Sequence, residues 1–229
     1  MMSITGSFCA PPAAQDQTSE AGHHGDRRFS DLLKRAEWMQ LPADVRRRFS
    51  KRLEGGAAIY TGHVSLCRIS RVGWLLAQTL RVIGAPLPLS NVAGMPTVVS
   101  VTEEGASGGQ NWTRIYGRPS GFPQVIHSTK RFSGPTGLEE YVGAGIRMAL
   151  TLSVEKSALF FNSAGYFIQF GRWNMRLPRW LEPGQTTVSH REIAEGAFLF
   201  TLHVQHPWLG TLVHQEAVYR EVEPCSVAS

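Results

Sequence analysis

The chain has 229 residues, 42% of them hydrophobic, and a formal net charge of +5; that length fills one sizeable core or at most two small ones, and one is the simpler reading. Its longest apolar stretches, Trp74 to Ile83 and Ala158 to Phe170, are interrupted by polar residues and fall short of the roughly 18 to 20 residues of a spanning helix. The charge is local: nine of the 23 Lys and Arg but only three of the 18 Asp and Glu lie between Arg27 and Arg52, so the rest of the chain is nearly neutral and lacks the broad basic field of a nucleic-acid binder.

Residues 1–26, rich in Ser, Gln, Pro, Gly and Ala, carry no charged-then-apolar export pattern and are expected to form a disordered leader. A single domain is expected over 27–223, with 224–229 as a flexible tail. Cys9, Cys67 and Cys225 are odd in number and far apart, which fits neither a disulfide framework nor a zinc motif and points to a reducing cytoplasm.

Arg28 to Met39 places Phe29, Leu32, Leu33, Ala36 and Trp38 near helical spacing, and Leu41-Pro42 ends the helix. A second short helix is expected over Ala43–Leu53, stopped by Gly55 and Gly56. Ala58 to Leu66 alternates as a strand, and Val72–Ile83 reads as a third helix closed by Gly84, Pro86 and Pro88. From Thr97 onward the period falls to two. Strands are expected at Thr97–Thr102, Asn111–Tyr116, Pro123–Phe132, Leu138–Val142, Ile146–Val154, Leu159–Phe170, Thr187–Glu195, Ala197–Gln205 and Thr211–Val222. Their connections are too short for crossover helices, so successive strands should pair antiparallel. The expected architecture is α+β: a curved antiparallel sheet or barrel of about eight to nine strands with three N-terminal helices packed against it.

A two-residue turn at Glu195-Gly196 would set Ile193 opposite Phe198 and Arg191 opposite Phe200, while the 206–210 turn sets Val204 opposite Val213 and Phe198 opposite Tyr219. In that register His190, Glu192, His203 and His214 share a face and could ligate a metal; the plainer reading is the wet face of a half-exposed sheet. Trp112 and Arg114 share a face and could form a cation–π pair or an anion clamp, the plainer reading being an Arg solvated beside a core Trp; of the adjacent Glu139 and Glu140, which point to opposite faces, one could sit inside a barrel. Arg172, Trp173, Arg176, Arg179 and Trp180 interleave basic and aromatic residues as anion-gripping surfaces do, but read equally as a long loop anchored by two tryptophans. Arg46 to Arg48 could contact anionic lipid, nucleic acid or an acidic partner, the plainer reading being a solvated helix face. No phosphate loop, nucleophile elbow, paired CxxC or HExxH is present, so no cofactor is implied.

Several short segments recur together in one order: Trp38 with Leu41-Pro42 and Val45-Arg46, then Trp112-Thr113-Arg114, Gly137-Leu138-Glu139-Glu140, Leu177-Pro178-Arg179, Phe198 to Phe200, and Pro207 to Gly210. In this the chain resembles the bacterial family known as domain of unknown function 4166, over about Phe29 to Tyr219. Members look to occur fused behind saccharopine-dehydrogenase-like domains. That resemblance implies an accessory or ligand-handling role, with an oxidoreductase as a partner; the dinucleotide-binding half is not among these residues, so dehydrogenase activity is not expected of them.

Weighed together, the residues favour a non-enzymatic domain that holds a small apolar or lipid-like ligand in a barrel cavity, with Trp112, Arg114, Glu139 and Arg172 lining or gating it. The alternatives are a metal-assisted enzyme on the His190, Glu192, His203 and His214 cluster, and an interaction module working through the basic helices.

Overall fold

The computed structural model describes residues 28–222 apart from 51, 52, 54, 55, 85, 86 and 106. The expected leader and tail, with Cys9, Lys51, Arg52 and Cys225, lie outside the described residues.

The first expected helix is broken in two. Phe29–Leu32 is a 3-10 turn and Arg35–Met39 a single α-turn (α1), separated by Leu33 and Lys34 in extended conformation. The cause is local capping: Asp31 accepts the Arg28 N–H at 2.9 Å and Glu37 accepts the Lys34 N–H at 3.1 Å, so two carboxylates each start a new turn. Helix α2 spans Ala43–Ser50 and α3 spans Arg71–Leu80, the latter capped by the Ser70 hydroxyl on the Gly73 N–H. Gly73 lets α3 lie directly on the barrel wall, since a Cβ there would stand 2.1 Å from the Leu212 carbonyl oxygen.

Eleven strands follow: β1 Ala57–Ile69, β2 Pro96–Glu104, β3 Gly109–Tyr116, β4 Gln124–Arg131, β5 Glu139–Gly143, β6 Ile146–Glu155, β7 Ala158–Phe170, β8 Trp173–Arg176, β9 Gln185–Ala194, β10 Ala197–His206 and β11 Gly210–Glu221. All pairings are antiparallel, and the β1–β11, β6–β7 and β7–β9 pairings close ten strands into a barrel, leaving β8 outside on β7. The eight to nine strands expected are therefore ten plus one. The extra strand is the 173–176 stretch expected as loop, and its Trp173, like Trp180 beyond it, is 67% exposed rather than an anchor.

In this up-and-down order the connections alternate between two ends. The 3-10 turn and α2 plug one end: Phe29 and Phe49 pack edge-on at 5.4 Å and reach inward to Phe132, Phe161 and Trp112. Helix α3 lies across the other. The three helices thus do not stack on one side of a sheet; they fill and cover the ends of a tube.

The register expected for β10 and β11 holds, with Val204 opposite Val213 and Phe198 opposite Tyr219. The register expected for β9 is off by one. A bulge at the β9–β10 turn sets Phe198 against Glu192 and Phe200 against His190. One extra residue on β9, Ile193, is enough to exchange the two faces of the strand.

An apolar cavity with a charged floor

The α2 plug fills only part of the barrel. Above it lies a cavity of about 210 Å³, far beyond the roughly 10–15 Å³ that one water requires. Its walls carry Ile126, Met148, Val188, Leu202 and Val204, and its roof is Leu76 and Leu80 of α3 with Leu177 and Leu181 of the β8–β9 connection. Two tyrosines enter the lining with their hydroxyls already partnered. Tyr166 meets Thr186 at 2.7 Å and the Gly184 carbonyl at 3.1 Å, and Tyr116 donates to Gln215 at 3.3 Å. Burial raises the Tyr166 phenol to about 12, so it stays neutral.

The floor is different. By the period of two, β3 sends Trp112 and Arg114 inward, β4 sends Ser128 and Lys130, and β5 sends Glu140. Lys130 Nζ lies 3.4 Å from Glu140 Oε2, with the ammonium 5.1 Å from the Trp112 ring centre and 5.2 Å from that of Phe161. Burial pushes the Glu140 carboxyl up, but Lys130 and then Arg114 outweigh it and hold it below its ordinary value. Burial drives Lys130 down, and Glu140 opposes that shift. The pair is an interior ion pair.

Arg114 is a third charge on the same floor. It is 8% exposed, its Nη1 donates to Ser128 Oγ at 3.1 Å, and its guanidinium lies between the Trp112 and Phe200 rings at 5.4 and 5.5 Å. Among the described residues no carboxylate stands within 4.0 Å of it. With Lys130 balanced by Glu140, the floor keeps one net positive charge that an anion entering the cavity would meet.

Beneath the floor the plug carries its own polar chain. Arg48 turns inward, stacks 3.7 Å over Phe198 and reaches Glu192 at 3.5 Å. His190 sits among Phe49, Trp112, Phe161, Phe198 and Phe200. Burial, reinforced by Arg48, Lys130 and Arg114, lowers its pKa well below the usual histidine value, and among the described residues its Nδ1 has no hydrogen-bond partner.

Of the four residues expected to line or gate a cavity, Arg114 lines it. Trp112 lies one layer below, its indole N–H on Gln110 at 3.2 Å. Glu139 points away from the cavity and pairs with Arg147 at 3.2 Å, while its neighbour Glu140 takes the inward position. Arg172 is exposed at the β7–β8 turn, on the open end of the barrel. The structure separates the four residues of the candidate metal cluster: the β9 bulge turns His190 and Glu192 inward, whereas His203 and His214 pair on the outer wall with rings 5.4 Å apart. Among the described residues no group of three or more such side chains is placed to hold a metal. Nor do Arg46 to Arg48 form one patch, since Arg48 is interior and Arg47 pairs with Asp44 at 3.1 Å.

The residues not singled out from sequence are Ser128 and Lys130. Their signal was present: in β4 the inward series runs Ile126, Ser128, Lys130, and a lysine on the apolar face of a strand requires a buried partner.

Fold and cavity define a mostly β protein, a closed up-and-down barrel plugged at one end and hollow at the other. The chain belongs to the family described as "Domain of unknown function (DUF4166)", whose model matches residues 41–218. No curated protein matches the chain. No helix of the described residues is long and apolar enough to cross a membrane.

Proposed function

We propose that this domain binds a small amphiphile, apolar along most of its length and ending in one acidic group. The apolar part occupies the space between the Met148, Val188 and Leu202 walls, and the acidic end meets Arg114. One observation carries the reading: among the described residues Arg114 is a buried guanidinium with no carboxylate within 4.0 Å, at the floor of a cavity whose walls are mostly apolar. A buried cation with no ion-pair partner is costly, and a bidentate carboxylate or phosphate from the ligand offsets that cost. A neutral ligand would leave the charge unanswered.

Native mass spectrometry of the protein purified from its own cells tests this. A bound species that is released as a small acid supports the proposal. A protein that carries only neutral molecules, or whose adducts persist in Arg114→Gln, contradicts it.

A further inference from the structure

The two ends of the barrel differ sharply in what they expose. Among the described residues the exposed Phe and Trp side chains are Trp74, Phe122, Phe170, Trp173, Trp180 and Trp208, and every one lies at the hollow end. They stand on separate connections: α3, the β3–β4 loop, the β7–β8 hairpin, the β8–β9 loop and the β10–β11 turn. Phe122 is 91% exposed and Trp208 78%. Single exposed apolar residues are ordinary, but six aromatics at one end and none at the other is not scatter.

The same connections carry Arg71, Arg81, Arg118, Arg172, Arg176 and Arg179 against one carboxylate, Glu182. Among the described residues none of these six arginines is within ion-pair distance of an acid. The plugged end mixes both signs, with Asp31, Glu37, Asp44, Glu155 and Glu195 among its arginines.

We infer that the hollow end docks on an anionic lipid bilayer. Tryptophan is favoured at the boundary between headgroups and acyl chains, and arginine gains where the surface carries negative charge. Aromatic side chains projecting from five separate connections are shaped to enter a soft interface one by one. The ring also surrounds the cavity roof, where Leu181 belongs to both. An apolar molecule could pass between bilayer and barrel without crossing water. This inference does not depend on what the cavity holds, because docking is measured with empty vesicles.

The test is co-sedimentation of the full chain with vesicles of phosphatidylcholine alone and of phosphatidylcholine mixed with phosphatidylglycerol. Binding is expected to the mixed vesicles, with a blue shift of tryptophan emission. It should be roughly thirtyfold weaker in the double variant Arg172→Gln, Arg179→Gln, each arginine at an anionic surface being worth about a factor of five. It should also fall in Trp173→Ala, Trp180→Ala, and remain unchanged in Glu155→Gln at the plugged end. These positions are exposed, so circular dichroism should report an intact fold in each. Absence of binding to the anionic vesicles would overturn the inference. So would binding insensitive to the hollow-end substitutions, or a stoichiometric protein complex on this end with vesicles ignored.

Discussion

Lys130 and Glu140 face each other across adjacent strands inside the barrel, 3.4 Å apart, and their mutual neutralisation leaves Arg114 as the uncompensated charge of the cavity floor. The ion pair is therefore part of the site's electrostatics as well as of its stability. Without Glu140 the floor would hold two buried cations side by side.

Glu140→Gln should accordingly destabilise the protein by roughly 3–5 kcal/mol, the cost of stranding a buried charge. Replacing both partners, as Lys130→Met with Glu140→Leu, should cost less than that single change, because no charge is left unanswered. Urea denaturation of the two variants and the parent measures this directly. A double variant less stable than Glu140→Gln would contradict the pairing.

The pH dependence has two parts. Glu140 is depressed in the folded state, so its contribution is present above the ordinary value of 4.5 and is lost as pH falls through the folded pKa. His190 is likewise depressed, from 6.5, because the folded protein holds it neutral. Below pH 6.5 the unfolded chain takes up a proton that the folded one refuses, so stability falls by up to about 1.4 kcal/mol per pH unit, while above 6.5 the residue has no effect. His190→Phe should flatten the stability profile between pH 6.5 and 4.5, as read from denaturation midpoints at a series of pH values. An unchanged slope would mean that His190 protonates in place.

The cavity can be filled from its wall. Val188→Phe should leave the melting temperature unchanged or slightly raised, since added apolar atoms occupy empty space. Uptake of any cavity ligand should fall at least about tenfold, the loss of a little over 1.4 kcal/mol. Retained uptake would place the ligand elsewhere on the molecule.

Much of this fold was legible in the alternation of the chain. Trp112 and Arg114 on one face of β3, and the β10–β11 register, follow from a period of two and a short turn alone. The β9 register did not, because a bulge at Ile193 leaves no mark on that pattern and turns His190 and Glu192 to the other face. The same limit applies to Glu139 and Glu140: alternation says that one faces inward, and only closure of the barrel says which. Strand β8 was hidden for another reason. Its Trp173 and Met175 are exposed on an outlying hairpin, so no buried face imposes an alternation on them. Where the helices lie was the least legible, since amphipathic spacing shows that Phe29 and Phe49 are buried without showing that they enter the tube.

If Arg114 answers an acidic ligand, calorimetric titration of decanoate against decan-1-ol will show it. Decanoate should bind the parent protein more tightly than the alcohol by roughly tenfold or more, the worth of a charge-assisted hydrogen bond in a buried site. In Arg114→Gln that preference should vanish while the alcohol binds as before. Equal affinities in the parent, or a carboxylate preference that survives in Arg114→Gln, would mean that Arg114 does not select an acidic ligand.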